Sequence, residues 1–193
     1  VGAAAFDAFM QSLPDHVVVV VDEAYYEFVR SEDFPDAMPW TARRPGTLVM
    51  RTFSKIYGLA GIRIGYGIAD AEFADYLNRV RHPFNVNRLA EAAALAALDD
   101  TEHALRSRQV NAEGAAYLSA ELTALGLEVW PTDANFVLVR STSDMPERLM
   151  REGVIVRPLG EFGMPDHMRV SIGLPEENER FIKTLRRLVE AGA

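Results

Sequence analysis

The residues best suited to chemistry lie in one run, RTFSKIYGLAGIRIGY, from Arg51 to Tyr66. Lys55 follows the hydroxyls of Thr52 and Ser54, precedes Ile56, Tyr57, Gly58, Leu59 and Ala60, and stands eight residues before Arg63. An ammonium group held among apolar neighbours loses hydration, which favours the neutral amine that attacks a carbonyl carbon. That is the requirement of a Schiff-base lysine. A lysine taken alone more often snorkels from an apolar segment and keeps its charge in water. Here the neighbours argue otherwise. Thr52, Ser54 and Arg63 offer hydroxyls and a guanidinium fork suited to a phosphate, and Gly58, Gly61 and Gly65 let backbone come close.

A lysine beside a phosphate cup points to pyridoxal phosphate, and a second segment fits the same cofactor. His16 to Glu23 reads HVVVVVDE, an unbroken β-branched run expected to form a parallel strand buried on both faces. It delivers Asp22 to the carboxyl end of that strand, where ligands of open α/β sheets gather. A carboxylate there would keep a pyridine nitrogen protonated, and a positive ring draws in electrons from a breaking Cα–H bond. Taken alone, Asp22 serves equally well as a cap of the next helix. Thr47 to Arg51 (TLVMR) reads as another short buried strand that brings Thr52 to Lys55 to the same edge.

The elements that must position these residues divide the chain in two. Residues 1–85 alternate helix and strand: a helix from Gly2 to Leu13, the strand to Val21, a Pro-rich loop from Asp33 to Pro45, the strand to Arg51, the lysine loop, a strand from Arg63 to Ile68, and a helix from Ala71. That is the α/β pattern of a parallel or mostly parallel sheet with helices. Residues 86–193 read as linking helices and a small α+β domain. Helix Arg88–Leu98 is followed by a long helical stretch to Leu125, where Leu118, Leu122 and Leu125 share a face and Gly126 ends it. Strands are expected near Val129, from Asn135 to Val139, from Val154 to Arg157 and from Met168 to Ile172. A closing helix after Pro175 would bury Phe181, Ile182, Leu185, Leu188 and Val189. Strand parity turns Met168, Val170 and Ile172 one way and Arg169 the other, which by pattern alone makes Arg169 a solvated surface residue.

Composition narrows the function classes. The 193 residues carry 20 basic and 28 acidic side chains for a net charge of −8, with no basic stripe for nucleic acid or an anionic membrane. There is no cysteine, so disulfides and thiolate metal sites are unavailable. His16, His82, His103 and His167 lack metal-ligand spacing, and no metal is expected. No phosphate loop of the GxxxxGK type and no GxSxG context is present. No apolar run approaches a membrane span and the N-terminal residues lack a secretory pattern, so the expected location is the cytoplasm.

The lysine run resembles the signature of the fold-type I, class I/II aminotransferases. Taken with DEAYYEF, PFNVN (Pro83 to Asn87), ANFVLV, GVIVRP and RVSIG, the chain is most similar to their histidinol-phosphate aminotransferase branch. The resemblance implies the C-terminal part of the cofactor-binding large domain followed by the small domain. It also implies pyridoxal 5′-phosphate as cofactor, with Lys55 as Schiff-base lysine and proton shuttle, Asp22 on the pyridine nitrogen, Tyr25 on the ring 3-hydroxyl, and Thr52, Ser54 and Arg63 around the phosphate. Arg169 and Arg157 match arginines that hold the substrate's anionic groups, and Asn135 matches a ligand-side asparagine. The implied reaction transfers an amino group between glutamate and imidazole acetol phosphate, giving 2-oxoglutarate and L-histidinol phosphate in histidine biosynthesis, by a homodimer. Three alternatives stay open: an aromatic amino-acid aminotransferase, an amino-phosphate decarboxylase on the same scaffold, and an inactive cofactor-binding fragment. Members of the family are roughly twice this length. The resemblance therefore implies a missing N-terminal half, an incomplete site in this chain alone and an exposed sheet edge.

Overall fold

The structure is a computed structural model that describes residues 1–191. Two compact units divide the chain, Val1–Leu105 and Arg106–Ala193. In the first, α1 (Ala3–Ser12) leads to β1 (Val19–Asp22), α2 (Trp40–Arg43), β2 (Thr47–Thr52), β3 (Gly65–Ile68), α3 (Ala71–Val80) and α4 (Arg88–Asp99). The sheet order is β1-β2-β3, with β1 parallel and β3 antiparallel to β2. Asp22 pairs with Met50, so the last residue of β1 and the final turn of β2 emerge at one edge of the sheet. Asp70 caps α3 through Oδ1 on the Phe73 N–H at 2.9 Å, and Asn87 caps α4 in the same way on Ala90 at 2.9 Å.

Three features of this unit differ from the sequence reading. The β1 strand is not buried on both faces: Val19 and Val21 are half-buried, but Val18 is 56% and Val20 52% exposed. A run of valines carries no information about which of its faces is covered, because that depends on elements far away in sequence. The Pro-rich segment is not simply a loop. It holds the single turn α2, in which Trp40 is buried and its indole Nε1 donates to Asp7 Oδ1 at 2.9 Å. The expected strand from Arg63 begins only at Gly65, because Arg63 has left-handed backbone (φ 57°).

The second unit follows from α5 (Thr101–Ala124), and contains β4 (Val129–Trp130), β5 (Phe136–Arg140), α6 (Met145–Arg151), β6 (Arg157–Pro158), β7 (His167–Ser171) and α7 (Pro175–Glu190). Its sheet is antiparallel throughout, in the order β4-β5-β7-β6. Gly126 ends α5 at φ 77°, with Leu127 N–H donating back to the Leu122 carbonyl at 3.1 Å. One core gathers Leu118 and Leu122 of α5, Val137 and Val139 of β5, Leu149 of α6, Met168 and Val170 of β7, and Phe181, Ile182 and Leu185 of α7. Full burial of each such side chain is worth about 1.5–3 kcal/mol. Of the expected Val154–Arg157 strand only Arg157 joins the ladder, together with Pro158 just beyond it. Val154 and Val156 pack against the core without pairing.

Candidate active site

In the first unit, the loop after β2 is pinned from beneath. Phe53 and Ile56 are each 4% exposed and anchor the loop, while Ser54, Lys55 and Tyr57 are half-buried, the Tyr57 ring lying 5.1 Å from that of Phe53. Hydrogen bonds close the loop: Gly58 N–H to the Lys55 carbonyl at 2.9 Å, and Leu59 N–H to the Phe53 carbonyl at 3.0 Å. Gly58 adopts φ 70° at this turn, where a side chain would be strained. The His103 ring Nε2 lies 3.2 Å from the Ile56 carbonyl and steadies the same loop, a contact that sequence spacing does not reveal.

Lys55 Nζ lies 5.1 Å from the centroid of the Tyr25 ring. Tyr25 follows directly from the end of β1, where Asp22 Oδ1 accepts the Ala24 N–H at 3.0 Å. That short bond fixes the carboxylate at the strand's exit. On the far side of the loop, Arg63 Nη1 donates to the Ala60 carbonyl at 2.8 Å and to Ser54 Oγ at 3.4 Å. Thr52 Oγ1 accepts the Ser54 N–H at 3.0 Å. Thr52, Ser54 and Arg63 thus form one contiguous group of two hydroxyls and a guanidinium. A left-handed conformation at a non-glycine residue is uncommon and concentrates at functional sites, and here it turns Arg63 back toward Ser54. Gly65 is required for a different reason: a Cβ there would lie 2.8 Å from the Arg51 carbonyl oxygen.

Beneath the loop, burial pushes the Glu27 carboxyl above its ordinary range, against the pull of its backbone hydrogen bond and of Arg51. Burial likewise pushes the Tyr57 phenol up, with the Glu27 carboxylate adding to it. Neither residue stands out in the sequence, because the burial comes from residues distant along the chain.

In the second unit, the parity reading of β7 holds: Met168 and Val170 are buried, while Arg169 faces away from them. Arg169 does not dissolve into solvent, however. Its guanidinium carbon lies 5.0 Å from the Phe136 ring centroid, and its Nε is buried without a hydrogen-bond partner among the described residues. Arg157 is its direct partner across the β6–β7 ladder. Like charges directly opposite each other destabilise a sheet, so two guanidinium groups in register mark a place where an anion would relieve repulsion. Arg157 is exposed, lies 5.3 Å from the Phe162 ring and has Glu161 at 3.9 Å. Both arginines line a cleft of about 590 Å³ with Ile155, Gly160, Glu161 and Ser171. Asn135 does not line this cleft; its carbonyl accepts the Ile172 N–H at 2.9 Å and extends the β5–β7 ladder. Among the described residues no group of three or more His, Cys, Asp or Glu could hold a metal ion.

The sequence model of the family described as aminotransferase class I and II matches residues 6–185. The chain belongs to the class I and II aminotransferases. Within that family, it is 53% identical over 187 residues to histidinol-phosphate aminotransferase 1 of Nitrosococcus oceani, covering 95% of this chain and 50% of that protein. It is 50% identical over 194 residues to histidinol-phosphate aminotransferase 2 of Pseudomonas fluorescens, covering 99% of this chain and 52% of that protein. The crystal structure of histidinol-phosphate aminotransferase from Sinorhizobium meliloti in complex with pyridoxal-5′-phosphate matches with a TM-score of 0.92 at 29% identity, covering 100% of this chain and 54% of that one. The aminotransferase chain therefore spans about half the length of the curated relatives it matches.

Proposed function

We propose that this chain supplies the lysine-bearing and anion-holding parts of a pyridoxal-phosphate-dependent aminotransferase that acts on L-histidinol phosphate and 2-oxoglutarate in histidine biosynthesis. The observation that carries the reading is the approach of Lys55 Nζ to the Tyr25 ring, at the sheet edge where β1 ends in Asp22. The donor set fits the cofactor: a carboxylate for the ring nitrogen, a phenol for the ring hydroxyl, and Thr52, Ser54 and Arg63 for a phosphate. When bound, pyridoxal phosphate supplies an electron sink for the substrate's Cα–H bond. Asp22 holds the proton on the ring nitrogen. Lys55 is the point of covalent attachment and then the base that moves a proton at the substrate Cα. Arg169 and Arg157 hold the substrate's anionic groups.

The relatives named above, near 50% identity, support histidinol phosphate over aromatic amino acids as substrate. The protein works as a cytoplasmic homodimer in this reading, and no described helix is long and apolar enough to cross a membrane. Because the chain covers half of its relatives' length, its site on its own is incomplete. A stable, monomeric and fully active preparation of the 193-residue chain would overturn that part.

The test is chemical trapping. Borohydride added after pyridoxal phosphate should fix the cofactor's mass on the peptide that carries Lys55, and Lys55→Ala should lose both that label and nearly all turnover. Normal transamination by Lys55→Ala would sink the assignment.

A further inference from the structure

Glu23 and Arg51 flank the proposed cofactor residues without belonging to them. Glu23 follows Asp22 and is only 3% exposed; Arg51 lies four residues before Lys55. Arg51 Nε donates to Glu23 Oε2 at 2.9 Å, and its Nη2 lies 2.9 Å from the same oxygen in an ion pair. The same guanidinium lies over the Tyr26 ring, its carbon 3.6 Å from the centroid. The Glu23 N–H donates to the Met50 carbonyl at 2.9 Å, which carries the β1–β2 pairing one residue beyond Asp22. A buried ion pair is a weak source of net stability, because desolvation offsets most of the attraction. Its role is better sought in the geometry that it fixes.

We propose that the Glu23–Arg51 pair is a positioning clamp that holds the Asp22 end of β1 in register with the Lys55 loop. The proposal rests on the reading of Asp22 and Lys55 given above. One guanidinium ties the strand entering the lysine loop to the segment that carries Asp22 and Tyr25, by a hydrogen bond and ion pair to Glu23 on one side and the face of Tyr26 on the other. Tyr26 is the chain neighbour of Tyr25, whose ring faces Lys55. Among the described residues Glu23 Oε1 is buried with no hydrogen-bond partner, so displacing Arg51 from Oε2 would strand both oxygens. Lysine at position 51 would keep the charge but lose the planar fork that bonds and stacks at once.

The clamp is tested with Arg51→Lys and Glu23→Gln in the 193-residue chain, by two readouts. The first is hydrogen exchange at the Ala24 and Ser54 amides, which donate to Asp22 Oδ1 and Thr52 Oγ1, with the Val49 amide in mid-β2 as reference. The second is the pyridoxal phosphate concentration needed for half-maximal borohydride labelling of Lys55. Each variant should speed exchange at Ala24 and Ser54 about tenfold with Val49 unchanged, and raise that concentration about 10- to 100-fold. Parent-like exchange at Ala24 and Ser54, or parent-like labelling by Arg51→Lys, overturns the clamp. Faster exchange that includes Val49 also overturns it, since the pair then supports the whole unit rather than the register of the two loops. If the parent chain takes no label at Lys55, the functional reading fails, and the exchange measurement alone still decides for or against the clamp.

Discussion

The two units solve the problem of burying a sheet to different degrees. The second packs one face of an antiparallel sheet under α5, α6 and α7, around a core in which Leu118, Leu122, Val137, Val139, Leu149, Met168 and Leu185 are fully buried. The first builds a three-stranded sheet in which Val20 of β1 and Val18 just before it stay open, and its α4 leaves Leu89, Leu95 and Leu98 exposed. Among the described residues, fifteen of the twenty exposed large apolar side chains belong to the first unit. The lysine loop is thus built on the less self-sufficient scaffold, and the arginine pair on the more self-sufficient one.

The sharpest way to break this comparison is to separate the units. Residues 106–193 expressed alone should melt in one cooperative transition by circular dichroism, while residues 1–105 alone should associate and show no such transition. Cooperative melting of monomeric 1–105 would remove the contrast. Next in size are matched core and surface truncations. Leu149→Ala in the second unit should cost about 2–5 kcal/mol in urea unfolding. Leu89→Ala, at a residue 80% exposed in the first, should stay within about 0.5 kcal/mol and reduce association instead.

A smaller effect separates the units by pH. Burial raises the Glu27 carboxyl, so the folded first unit keeps a proton that the unfolded chain gives up. Its contribution to stability is full below the ordinary value of 4.5 and is lost as pH rises through the raised folded value. Glu27→Gln should therefore flatten the decline in melting temperature above that pH. The second unit carries the opposite case. The hydrogen bond from Arg140 lowers the Asp166 carboxyl, against a smaller opposing effect of desolvation. That stability is present above the ordinary value of 3.8 and is lost as pH falls through the lowered one. Asp166→Asn should erase part of the acid-side loss and leave the alkaline side unchanged.

What was legible in the sequence followed local rules. The alternation in β7 set Arg169 apart from Met168 and Val170, and the apolar spacing of Phe181, Ile182 and Leu185 gave α7 its buried stripe. The position of Asp22 at a strand end and of Lys55 in the loop after the next strand was legible too, because β-branched runs and glycines punctuate the chain there. What escaped depended on partners distant in sequence. Buried Trp40 bonds Asp7, buried Glu23 pairs with Arg51, and nothing in the valines of β1 says that one face stays open. The cation–aromatic contacts of Arg157 and Arg169 depend on Phe162 and Phe136, of which the second is brought in only by strand pairing.

The left-handed backbone at Arg63 sets a trap for anyone improving this protein. A non-glycine residue held in that conformation carries about 1–2 kcal/mol of strain, which glycine would release. Selection for heat resistance alone would therefore favour Arg63→Gly, and would discard the guanidinium that lies against Ser54. At this one position backbone ease and the guanidinium contact pull in opposite directions, so a sturdier variant would give up the group proposed to hold the phosphate.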